Sequence, residues 1–101
     1  MPTLYEYFGI LVYFYSNEHE PIHVHGKHAG RESRAEIILR NGRIIGIKFG
    51  NVAGKLPLEG QKLKDFETLV TAKANEIVGR WTDFFVHNVR SKREIINRRI
   101  K

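Results

Sequence analysis

The chain of 101 residues contains no cysteine, only one methionine and one tryptophan, and three prolines. Without cysteine, disulfides, thiolate zinc centres and cysteine nucleophiles are all excluded. Long apolar runs are missing too. The longest, Phe8 to Tyr15, spans eight residues, whereas a helix needs about 20 to cross a bilayer, so no membrane role is expected. No basic leader followed by an apolar stretch and a small-residue cleavage site stands at the start, and the expected location is cytoplasmic. What is present, 42% hydrophobic and 28% charged residues, is ordinary for a folded chain. The expected organisation is a single domain over residues 1–88 followed by a basic extension, 89–101.

The net charge of +6 is unevenly placed. Arg90, Lys92, Arg93, Arg98, Arg99 and Lys101 face a single acid, Glu94, so the last fourteen residues carry +5 and the rest +1. A basic terminal segment is a candidate arm for the phosphates of RNA or DNA. The plainer reading is that these cations are solvated and keep a small protein soluble.

The first half reads as strands and the second as helix. The aromatic and β-branched run Phe8–Tyr15 fits a buried strand, and Ile22–His28 fits a second. Ser16–Pro21 is a polar turn, with Pro21 holding Glu20 extended. Ala35, Ile37 and Leu39 alternate before Asn41-Gly42, and Ile45, Ile47 and Phe49 alternate after it. Asn-Gly between alternating runs is the strongest short-range hairpin signal, because both positions tolerate positive φ. Gly50–Pro57 is a loop. It is not a phosphate-binding loop, since its glycines stand one residue too close and Leu56 occupies the magnesium-ligand position. From Gly60, residues Leu63, Phe66, Val70, Ile77, Trp81 and Phe85 recur at helical spacing, with Gly79 a point of weakness. Ser91 and Glu94 have capping-box spacing, which predicts a short basic terminal helix. Its apolar face, Val89, Ile96 and Ile100, would dock on the body or on a second copy in a homodimer. The fold class expected is α+β: an antiparallel meander of about four strands packed on one long C-terminal helix.

Four of the five histidines, His19, His23, His25 and His28, lie within ten residues. Residues two apart on a strand share a face, so His23 and His25 should project together. His19, across the turn, could close toward them. His28 has the opposite parity and points away unless a bulge at Gly26 reverses it. Three readings compete. The histidines are polar residues on a half-solvated sheet. Alternatively His19, His23 and His25, with Glu18, Glu20 or Glu36, hold one divalent transition metal ion such as zinc, nickel or non-haem iron. In the third, His23 and His25 are the catalytic pair, base and acid, acting on a phosphodiester without metal. A jelly-roll metal barrel needs about eight strands and is discarded, because half of this chain is helical.

In order along the chain stand Met-Pro-Thr, the aromatic strand, Asn17-Glu-His-Glu-Pro21, His23-Val-His25, and a Leu-Pro segment before a helix that reaches Trp81. In this it resembles a family of small bacterial proteins, domain of unknown function 4160, over about residues 1–88. The most specific part is Asn17 to His25, which places the family's histidines on His19, His23 and His25. Ile22 stands where the family usually has a second proline, and residues 28–33 look like an insertion. The resemblance implies a small protein encoded alongside as partner, in an arrangement similar to toxin–antitoxin modules, and no established activity. Two functional classes follow: a protein-binding component of such a two-gene module, or a histidine- or metal-dependent ribonuclease or phosphodiesterase. Clustered titratable groups favour the enzyme. The small size of the domain, with little room for a deep pocket, favours the binding module.

Overall fold

A computed structural model describes residues 3–15, 21–89 and 92–100. The order is β1 (Thr3–Tyr7), β2 (Ile10–Tyr13), β3 (His23–His28), β4 (Arg31–Arg40), β5 (Arg43–Asn51), α1 (Gly60–Phe85) and β6 (Glu94–Ile96). The fold is α+β: the strands form a sheet in the order β5-β4-β3-β2-β1-β6, antiparallel except for the parallel β1–β6 pair, and α1 packs on one face.

Each antiparallel connection between adjacent β1/β2, β3/β4 and β4/β5 is a tight turn with two left-handed residues: Phe8-Gly9, Ala29-Gly30 and Asn41-Gly42. The Asn41-Gly42 hairpin is the one the sequence announces, and Ala35, Ile37 and Leu39 pair with Phe49, Ile47 and Ile44 across it. The register slips between Ile38 and Leu39, so Ile45 is the bulged residue.

Three expectations are corrected. The run from Phe8 to Tyr15 is not one strand, because Phe8 takes φ 48° and Gly9 φ 82° and the chain reverses there. The sheet has six strands rather than about four, β1 and β6 being the additions. Residues 28–33 form the end of β3, the Ala29-Gly30 turn and the start of β4. Among the described residues no helix follows Asn88. Glu94–Ile96 is extended and pairs with Tyr5–Tyr7, so Ile96 and Ile100 reach the core without helical periodicity. Ser91, the proposed cap, lies outside the described residues.

The core lies between sheet and helix. Tyr5, Tyr7, Ile10, Val12, Phe14, Val24, Ala35 and Ile37 from the sheet meet Phe66, Leu69, Val70, Ala74 and Ile77 from α1. Phe66, Val70, Ile77 and Trp81 of the expected stripe are buried, and Leu63 and Phe85 pack partly buried against the core. Gly79 does not interrupt α1. The helix ends at a Val86 cap, whose amide donates to the Thr82 carbonyl, and Asn88 then turns left-handed at φ 57°.

One polar group is drawn into the helix face. Asp65 is buried and accepts from Gln61 and from Arg99 on the terminal segment. Burial pushes its carboxyl up, but the Gln61 and Arg99 hydrogen bonds and the charges of Arg99 and Lys62 outweigh this and hold it below the usual range. Arg99 also lies over the Phe8 ring, and the Ile100 amide donates to the Tyr7 hydroxyl. The terminal segment is thus fastened by contacts from several of its residues.

Candidate functional site

Alternation divides β3 cleanly. Val24 and Gly26 face the helix, where a side chain at Gly26 would begin 2.4 Å from the Phe66 ring. His23, His25 and Lys27 face the other way. The β3–β4 ladder runs without a register slip through Gly26, so no bulge reverses His28. As parity demands, His28 leaves the pair, and its Nδ1 bonds the Gly9 carbonyl at 3.0 Å.

The open face nonetheless carries buried residues. His23 and His25 are only 3% and 4% exposed, Glu32 4%, and Tyr13 is fully covered although it is no part of the helix-side cluster. The two imidazole centroids stand 5.1 Å apart. The His23 Nδ1 lies 2.6 Å from the Pro21 carbonyl, and since a carbonyl only accepts, Nδ1 carries the proton and the neutral ring's lone pair is on Nε2. Tyr13, opposite His25 in the ladder, stacks on its ring at 5.6 Å, and Tyr15 meets it edge-on at 4.8 Å.

Glu32 completes the arrangement. Its Oε2 is 3.0 Å from His25 Nδ1, with both side chains about 95% buried, and it accepts from the Tyr15 hydroxyl at 3.4 Å. Tyr15 in turn is 3.3 Å from the Tyr13 hydroxyl. Burial, and after it the contacts with Tyr15 and Glu32, push the Tyr13 phenol well above its ordinary range, so it stays protonated. A carboxylate beside Nδ1 orients an imidazole and favours the tautomer with its lone pair on Nε2, the arrangement used both by proton-transferring histidines and by histidine ligands.

Residue by residue, the structure brings His23 and His25 together on one face, as alternation predicts. His19, Glu18 and Glu20 lie outside the described residues. Glu36 is the cross-strand neighbour of His23, but its carboxylate pairs with Arg34 at 3.9 Å. Among the described residues no group of three or more histidine, aspartate or glutamate side chains is arranged to hold a metal ion. Glu32, Tyr13 and Tyr15 are the residues that sequence reasoning missed. Recognising Ala29-Gly30 as a two-residue turn would have supplied Glu32, since that register puts it opposite Lys27 and diagonal to His25, whereas Tyr13 reaches His25 through the separate β2–β3 register.

The candidate nucleic-acid arm is partly committed elsewhere. Arg93 pairs with Glu6 at 3.4 Å and Arg99 with Asp65, whereas Lys92 and Arg98 are exposed. Arg90 and Lys101 lie outside the described residues. Among the described residues no helix is long and apolar enough to cross a membrane.

Comparison with curated proteins gives no match, nor does comparison with solved structures. A family model does match, over residues 9–82, the span from the Phe8-Gly9 turn to the last turn of α1 that holds the histidine strand, Glu32 and both tyrosines but neither β1 nor β6. The chain therefore belongs to the family described as Domain of unknown function (DUF4160).

Proposed function

We propose that this chain is a protein-binding component of a two-protein module and that its partner docks at the outer edge of β5. The observation that carries the reading is an asymmetry between the two edges of the sheet. On the β1 side the sheet ends in β6, only three residues long, while β5 offers a nine-residue edge with whose outer side, among the described residues, no strand pairs. An open edge presents unpaired amides and carbonyls to any extended segment that approaches. Beside it stand exposed aliphatic side chains, Ile45 at 60% and, at the hairpin tip, Ile38 and Leu39. From Ile37 to Leu58 the sequence holds Arg40, Arg43, Lys48 and Lys55 and no acid, so the edge suits an acidic segment and repels a copy of itself.

The test is co-purification with the small protein encoded alongside. Ile45→Asp, which puts a charge on the exposed bulge without touching the core, should weaken that complex about tenfold or more, as loss of a central apolar contact does at other interfaces. Equal affinity in the variant would move the interface off β5.

A second reading, acid–base chemistry on a phosphodiester, is favoured by the paired imidazoles and by Glu32 behind His25. Loss of RNA cleavage in folded His23→Ala and His25→Ala proteins supports it, and an inactive wild-type protein removes it.

A further inference from the structure

Three connections converge at one end of the open face: the Phe8-Gly9 turn, the Ala29-Gly30 turn and the loop after β5. Between them lies a cleft of about 430 Å³, within the range of small-molecule sites. We propose that this cleft binds a phosphate ester of nucleotide size. The inference rests neither on docking at β5 nor on proton transfer by His23 or His25, because binding would be seen without a partner and without turnover.

The cleft is built rather than incidental. Its third wall, the loop between β5 and α1, is stitched to β4 at three points. The Glu32 amide donates to the Leu56 carbonyl at 2.9 Å, the Leu58 amide to Ser33 Oγ at 3.0 Å, and Arg31 Nη1 to the Pro57 carbonyl at 3.2 Å. Those bonds fix the loop that carries Lys55 at the cleft wall. Gly54, at φ 78°, makes the sharp turn just before it.

The chemistry of the walls selects the ligand. Lys27, Arg31 and Lys55 line the cleft, one from each of three elements, against one carboxylate, Glu32. That carboxylate is already engaged by His25 and Tyr15. Arg31 is occupied in holding the loop and pairing with Glu59 at 3.4 Å, so its role is to position. Lys27 and Lys55 remain as the charges that would meet a phosphate. The Lys27 ammonium stands 5.4 Å above the Tyr13 ring, anchored over the cleft rather than extended into solvent. Leu11 and the half-buried Tyr15 supply an apolar and aromatic wall for the rest of the ligand. Cations beside an apolar and aromatic wall match a phosphate joined to a planar base.

Two sources share this chemistry, a free mononucleotide and the terminal phosphate of an RNA. Isothermal titration at low salt would use adenosine monophosphate, inorganic phosphate, and one short RNA with and without a 5′ phosphate. The expected result is binding of at least one phosphorylated probe, weakened about tenfold or more by Lys27→Gln and by Lys55→Gln, the scale of losing a charge-assisted hydrogen bond. Lys64→Gln, exposed on α1 and outside the cleft, should bind as wild type. Preference for the mononucleotide identifies a free ligand, and preference for the 5′-phosphorylated RNA identifies a nucleic-acid end. No binding of any probe at millimolar concentration overturns the inference. So does equal affinity in Lys27→Gln and Lys55→Gln, or an equal loss in Lys64→Gln, which would mean unspecific charge attraction.

Discussion

The Phe66 ring of α1 fills the space where a side chain at Gly26 of β3 would begin, with ring carbons 2.4 and 2.5 Å from an ideal Cβ. Helix and histidine strand are therefore in contact through a bare backbone. The glycine inside His-Val-His-Gly-Lys-His is a packing requirement on the face opposite the histidines, and φ plays no part in it. Gly26→Ala should destabilise by about 1–3 kcal/mol through overpacking, measured by urea unfolding. Gly79→Ala is the contrast. Its Cβ meets nothing within 4 Å, and on an α-helix it should stabilise by up to about 1 kcal/mol. Two variants of equal stability would mean that the helix does not seat on β3 this closely.

Glu32 and Glu36 separate a buried partner from a surface one. Glu32→Ala leaves His25 in a buried site without its carboxylate and takes an acceptor from Tyr15. The expected cost is about 1–3 kcal/mol, the penalty of unsatisfied buried polar groups. Glu36→Ala loses a 3.9 Å contact with Arg34, both side chains about a third exposed, and should stay within about 0.5 kcal/mol of wild type. If thermal unfolding ranks them the other way, Glu32 is not what holds His25.

What the sequence disclosed and what it concealed divide along local and non-local lines. Asn41-Gly42, the parity of His23 and His25, and the stripe on α1 are local patterns, and each is read correctly from spacing alone. The Phe8-Gly9 turn hides inside an apolar run because Phe8, a bulky residue at positive φ, carries no turn signature. With that turn unseen, β1 is lost as well. The spacing of Ser91 and Glu94 mimics a helix start, yet the decisive contacts, Glu94–Ile96 on β1 and Arg99 on Asp65, join residues far apart in sequence. The carboxylate beside His25 is missed for the same reason. Sequence proximity favours Glu18, Glu20 and Glu36, while strand register across Ala29-Gly30 selects Glu32.

The Asp65–Arg99 contact makes stability depend on acid. A carboxyl held below its ordinary value binds fewer protons in the folded than in the unfolded chain. Its contribution is present above the unfolded value, about 3.9, and is lost as pH falls through the lower folded value. Glu76, held down chiefly by the Tyr5 hydroxyl at 2.6 Å, titrates in the same sense. Stability should therefore fall below about pH 4, and Asp65→Asn should fall less steeply while starting lower at neutral pH. Parallel curves for the two proteins would show that Asp65 is not depressed.

The terminal cations are not equivalent, and that difference tests the arm as a nucleic-acid contact. Arg99 sits on a buried carboxylate and the Phe8 ring, and Arg93 on Glu6, whereas Arg98 is exposed. Arg99→Met should destabilise, because it strips a donor from buried Asp65, and Arg98→Gln should change stability by less than about 0.5 kcal/mol. If RNA binds the segment, four cations at most reach phosphates once Arg93 and Arg99 are set aside. The slope of log affinity against log salt should then be no steeper than about −3 for single-stranded RNA, and Arg93→Gln should leave it unchanged. A steeper slope that Arg93→Gln reduces by about 0.7 would put that guanidinium on a phosphate instead of on Glu6.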